Sequence, residues 1–129
     1  MARPRLLLID DEPALADFLA AAARDCGYEA LVARDEPEFR RTFSDVRPDM
    51  VALDLGMPGT DGVEFLRFLA DEGYRGPVLI ISGFDRRVLE SAFRLGEALG
   101  LRMAGPIEKP ARFEELEVLL NGLKPSLAR

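Results

Sequence analysis

The sequence predicts an α/β protein, a three-layer α/β/α sandwich built on a five-stranded parallel sheet of strand order 2-1-3-4-5. Three observations support this. Short apolar runs at 6–9, 50–53 and 78–81 have the length and the unbroken apolarity of strands covered on both faces. Segments with apolar residues at helical spacing lie between them, punctuated by Pro and Gly. The alternation fits five strand–helix units into 129 residues, which right-handed crossovers assemble into one domain with helices on both sides of the sheet.

Residues 6–9 form the first strand and stop abruptly at Asp10-Asp11-Glu12-Pro13. Pro13 suits a first helical turn, where its missing N–H leaves nothing unpaired. Leu15, Phe18, Leu19, Ala22 and Cys26 follow as a helical stripe that Gly27 closes. The second strand is 28–33, and the second helix carries Phe39, Phe43 and Val46 before Pro48 forbids continuation. The third strand, 50–53, delivers Asp54 to a loop rich in Gly and Pro. Asp61 is placed to cap the third helix, with Glu64 three residues on and Val63, Leu66 and Leu69 as its core face. Gly73 and Gly76-Pro77 end that unit.

Residues 78–81 are the fourth strand, Ser82-Gly83 follow, and Asp85 opens a helix with Val88, Ala92, Leu95 and Leu99 on one stripe. The fifth strand, 101–107, is the least regular, because Gly105 and Pro106 are both poor in a strand interior. After Lys109-Pro110 a last helix carries Phe113, Leu116, Leu120 and Leu123. The domain is therefore assigned to 1–123, with 124–129 as a C-terminal tail or the start of a linker. A sheet wound in this flavodoxin-like order gathers its ligands beyond the carboxyl ends of the strands, where strands one and three part.

Composition narrows the chemistry. A net charge of −6 argues against direct nucleic-acid binding, which needs a basic face to neutralise phosphates. The chain has no His, so the usual base of a nucleophilic triad and the commonest transition-metal ligand are missing. Cys26 is alone and reads as a small buried packing residue, which suits a reducing cytoplasm. The apolar run before Asp10 is too short for a signal-peptide core or a membrane span. A cytoplasmic protein without membrane contact is expected.

An acid at the end of a buried strand is unfavourable unless something compensates it. The predicted topology puts Asp10 and Asp11, Asp54, Ser82 and Lys109 at one edge of the sheet. Three carboxylates brought together should bind a hard cation through oxygen, and Mg²⁺ suits a site with few protein ligands and room for water. Phosphoryl transfer to a carboxylate needs a metal, a second cation and donors for the equatorial oxygens. Asp54, Lys109 and Ser82 match those needs, and the Gly56 carbonyl can add a metal ligand. Taken singly, Asp10-Asp11 reads as a cap and turn pair, Ser82 as a helix start and Lys109 as a solvated charge. Their shared edge favours the site.

As an ordered set, Asp10-Asp11, Asp54-Leu55-Gly56-Met57-Pro58 with Gly62, Ser82-Gly83 and Lys109-Pro110 resembles the receiver domain of two-component response regulators over nearly the whole chain. The resemblance implies that Asp54 accepts a phosphoryl group from a sensor histidine kinase or phosphotransfer protein. It implies Asp11 and Asp54 as side-chain ligands of Mg²⁺, Asp10 as a ligand through water, and Ser82 and Lys109 on the phosphoryl oxygens. It also implies a cis Lys109–Pro110 peptide and an output face on the last two helices and fifth strand. One departure is Pro106, where receivers usually carry an aromatic residue that turns inward. Gly56 and Phe84, neither able to orient a water through a polar side chain, imply slow self-dephosphorylation. The segment 95–110 also resembles, more distantly, receivers joined to cyclic-di-GMP phosphodiesterase domains, and no such domain lies in these 129 residues.

Two other functions fit the predicted fold less well. A small aspartyl-phosphate-forming phosphatase of the haloacid dehalogenase type places Asp-x-Asp after its first strand, where this chain has Asp10-Asp11-Glu12. Flavin binding needs a phosphate-cradling Ser/Thr/Gly loop after that strand, which is absent. The chain reads as a phosphorylation-dependent switch rather than a metabolic enzyme.

Overall fold

The computed structural model describes residues 3–55, 62–83 and 86–124. Among them, strands β1 (Arg5–Ile9), β2 (Glu29–Ala33), β3 (Met50–Asp54), β4 (Pro77–Ser82) and β5 (Arg102–Glu108) alternate with helices α1 (Pro13–Asp25), α2 (Glu36–Val46), α3 (Gly62–Asp71), α4 (Arg86–Ala98) and α5 (Phe113–Leu123). All pairings are parallel, in the order β2-β1-β3-β4-β5, as the sequence predicts. No described helix is long and apolar enough to cross a membrane.

The two faces of the sheet follow from the two-residue period of a strand. Leu6 and Leu8 of β1, with Ala52, Leu79 and Ile81, face Leu19 of α1 and Leu116 and Leu120 of α5. Leu7 and Ile9, with Val51, Leu53 and Val78, face Phe39, Phe43 and Phe65 of α2 and α3. Each large side chain so buried contributes roughly 1.5–3 kcal/mol. The three central strands are covered on both sides, which is why they read as unbroken apolar runs. Asp35 caps α2 by accepting from the Glu38 N–H at 2.9 Å, and Pro13 opens α1 at its first turn.

Two tyrosine hydroxyls, one buried and one half-buried, tie distant segments together. Tyr28, just before β2 rather than within it, donates to the Leu120 carbonyl at 2.6 Å. Tyr74 donates to the Pro48 carbonyl at 2.9 Å. Burial pushes the Tyr28 hydroxyl up to about 12 and raises that of Tyr74 as well. Cys26 is buried, as expected, at the end of α1.

Four residues expected in the core are exposed: Phe18, Val63, Val88 and Leu99. The physical reason is clearest in α4, whose buried residues are Leu89 and Gly96. A Cβ on Gly96 would collide with the Met103 Sδ of β5. This glycine lets the helix approach the edge strand and rotates the stripe, leaving Val88 49% exposed. Val88 and Leu95 instead border an open groove of about 400 Å³ shared with Leu55 and Val63.

The irregular fifth strand is also explained. Leu79 pairs with Ala104 and Ile81 with Ile107, so β5 holds one extra residue between those positions. This is a bulge on an edge strand. Gly105 there has φ +88°, a conformation that favours glycine, and Pro106 lies exposed where no ladder N–H is required.

Candidate functional site

The site is assembled by strand register. β1 and β3 are neighbours with Ile9 opposite Leu53, so the chain emerging from each carries an acid to the same edge. Asp54 is the last residue of β3 and pairs with Ile81. Ser82 ends β4 opposite Glu108, and the Lys109 N–H donates to the Ser82 carbonyl at 2.9 Å. The Lys109 ammonium therefore reaches the acids, donating to Asp54 Oδ2 at 3.0 Å and lying 3.8 Å from Asp10 Oδ2. Gly83 packs beside its stem, where a Cβ would stand 3.5 Å from Lys109 Cδ.

Asp10, Asp54 and Ser82 are the buried polar residues of the described chain, with Asp10 at 1% and Asp54 at 3% exposure. Asp11 is exposed beside them. Carboxylate oxygens of Asp10, Asp11 and Asp54 lie within 4.8 Å of one another. Asp10 divides its oxygens between two tasks. Oδ1 accepts from the Glu12 N–H at 2.9 Å, closing the turn into α1, while Oδ2 is buried without a hydrogen-bond partner. Burial, reinforced by the Asp54 charge, pushes the Asp10 carboxyl up to about 6.

A buried carboxylate oxygen without a hydrogen bond, next to two other acids, is what a hard divalent cation satisfies. Mg²⁺ fits this donor set. The arrangement brings three acids, the Lys109 ammonium and the Ser82 strand end to one place. Asp10 thus serves as a turn residue through Oδ1, while Oδ2 lies in the acidic cluster.

The sequence profile of the response regulator receiver domain matches residues 6–121. The chain belongs to that family. Among curated proteins, the receiver is 34% identical over 92% of its length to the transcriptional regulatory protein TrcR of Mycobacterium tuberculosis, covering 44% of that protein. It is 30% identical over 92% of its length to the two-component response regulator PhoP of Pseudomonas aeruginosa, covering 51% of it. The chain thus spans about half the length of these relatives or less. A response regulator structure from Colwellia psychrerythraea superposes with TM-score 0.78 at 28% identity over 97% of this chain and 99% of that one. The Francisella response regulator 1452 receiver domain gives 0.81 at 25% identity over 97% and 99%.

The receiver is a signalling module of two-component systems, and its family typically uses Mg²⁺ at an acidic cluster such as this one. The Lys109–Pro110 peptide is cis, as the resemblance implies, and so is Gly105–Pro106. Gly56, Asp61, Phe84 and Asp85, all given roles by the sequence, lie outside the described residues. Sequence reasoning missed Glu108, whose carboxylate is paired with Arg86 at the start of α4 at 3.5 Å. Adjacency to Lys109 was the available signal, and it does not reveal a partner on another element.

Proposed function

We propose that this receiver takes a phosphoryl group onto Asp54 from the phosphohistidine of a sensor kinase or phosphotransfer protein, and that the modified domain switches an output partner or fused effector. An Asp54 carboxylate oxygen attacks phosphorus, the O–P bond forms as the P–N bond to imidazole breaks, and the imidazole leaves with its electron pair. Lys109 steadies the acceptor and then the added charge, and the Ser82 hydroxyl serves the phosphoryl oxygens. Asp10, Asp11 and Asp54, with the Gly56 carbonyl, are the groups that would hold Mg²⁺, which when bound offsets charge between acceptor and phosphoryl oxygens. The single observation that carries this reading is the 3.0 Å Lys109–Asp54 pair, set at a buried strand end beside Asp10.

The domain completes its own phosphoryl transfer and loses the group slowly, since Gly56 and Phe84 cannot orient a water by a polar side chain. A phosphorylated half-life of seconds in Mg²⁺ would contradict the slow loss. The phosphatase reading is not favoured, because the chain matches the receiver family and its first strand is followed by Asp10-Asp11-Glu12 rather than Asp-x-Asp. TrcR is named as a transcriptional regulator and the related MtrA proteins as DNA-binding response regulators. For these 129 residues, at net charge −6, we assign the switch and not a DNA contact, in a cytoplasmic setting. Incubation with acetyl phosphate and Mg²⁺ should add one phosphate by mass, and the gain should vanish in Asp54→Asn and on chelation. An unchanged mass with several donors would sink the proposal.

A further inference from the structure

From the geometry of β5 and α4 we infer that occupancy of Asp54 is relayed to α4 through Arg86, which gives up its β5 partner, Glu108, and keeps the partner on its own helix, Glu90. This rests on the phosphoacceptor reading of Asp54. Arg86 is the first residue of α4. Its Nε lies 3.5 Å from Glu108 Oε1 and 3.6 Å from Glu90 Oε1. One guanidinium thus stands between two carboxylates, one on the strand and one a turn along the helix.

The strand end that carries Glu108 is tied to the site at every step. Glu108 is opposite Ser82, the following N–H of Lys109 donates to the Ser82 carbonyl at 2.9 Å, and Lys109 Nζ donates to Asp54 at 3.0 Å. A dianionic phosphoryl group on Asp54 draws the ammonium and the Ser82 hydroxyl toward its oxygens. The peptide joining Glu108 to Lys109 moves with them. Glu108 is then displaced relative to Arg86, while Glu90, fixed to the same helix, keeps its distance and retains the cation.

The α4 helix is suited to respond. Its buried residues are Leu89 and Gly96 alone among thirteen, and Gly96 meets the flexible end of Met103 rather than backbone. Pro106, exposed in the bulge with its ring closed on its own backbone, offers no side chain that could swing inward to carry the signal. An exposed ion pair is weak and easily broken, which suits a releasable contact better than a fixed strut. Arg86 is shared by both carboxylates here, so displacement of Glu108 leaves the cation with Glu90 alone.

The test is hydrogen exchange across α4 in the full chain, with Mg²⁺ alone and after acetyl phosphate, with phosphate uptake followed by mass in the same samples. In the unmodified protein, phosphorylation should speed exchange in the first turns of α4 about threefold or more. Glu108→Gln should take up phosphate normally, start with fast α4 exchange and show no further change. Glu90→Gln, which removes the retained partner, should take up phosphate and show a reduced α4 response. A response in Glu108→Gln as large as in the unmodified protein overturns the relay, as does phosphate uptake in the unmodified protein with no α4 response. Absence of uptake in the unmodified protein instead overturns the reading of Asp54, so the two failures are distinct.

Discussion

Asp10 shows how a single side chain couples site and stability. Its carboxyl is pushed up to about 6, from 3.8, by burial first and by the neighbouring Asp54 charge. Between those values the folded chain binds more protons than the unfolded one, so stability is retained below the lower value and falls as pH rises through the upper one. Metal-free protein should therefore melt at a lower temperature at pH 7.5 than Asp10→Asn does, and the gap should close as pH falls toward 4. A scanning-fluorimetry pH series measures this, and a constant gap would contradict it. Lys109 is the complementary case, a cation held between two buried acids. Lys109→Ala should slow phosphoryl uptake on the order of 10²-fold, the loss typical of removing one oxyanion donor. A mass time course with acetyl phosphate reads it, and an unchanged rate would remove Lys109 from the chemistry.

Among the elements, α2 and α3 are seated by an aromatic cluster. Phe39 meets Phe65 edge-on at 5.1 Å, and Phe43 meets Phe68 at 5.4 Å and Tyr74 at 5.3 Å. Arg40 lies over the Phe68 ring at 4.5 Å, closing the cluster on its solvent side. Phe39→Ala should cost about 3–5 kcal/mol by urea unfolding. Val118→Ala, on the exposed face of α5, should stay within roughly 0.5 kcal/mol. Equal effects would mean that the cluster is not the anchor of this face. The Phe39 and Phe43 spacing was legible in the sequence because a helix pinned by two aromatics one turn apart has one orientation available. The stripe assigned to α4 was not, since Val88, Ala92 and Leu95 keep helical period on either side of the true contact line and only Met103 against Gly96 chooses it.

For the molecule as a whole, the metal should act as a fold ligand as well as a reagent. The acids of the site repel one another across β1 and β3, and an ion bound only by the folded state stabilises it by mass action. Mg²⁺ at about a hundred times its dissociation constant should add roughly 2.7 kcal/mol, seen as a raised Tm. The rise should disappear in Asp10→Asn combined with Asp54→Asn, and a rise that survives would place the ion elsewhere.

The sequence by itself determined the class of fold, the alternation of strands and helices, and which polar residues lie at the strand ends of one sheet edge. Apolar runs and helical stripes are local patterns, and in a parallel sheet every strand delivers its following residue to the same edge. Tertiary structure alone decided how Asp10 divides its oxygens, where β5 bulges around Gly105 and Pro106, which side of α4 faces inward, and that Arg86 stands between Glu90 and Glu108. Each of these depends on the rotation of one element against another, which local periodicity leaves open and side-chain contact between distant segments fixes.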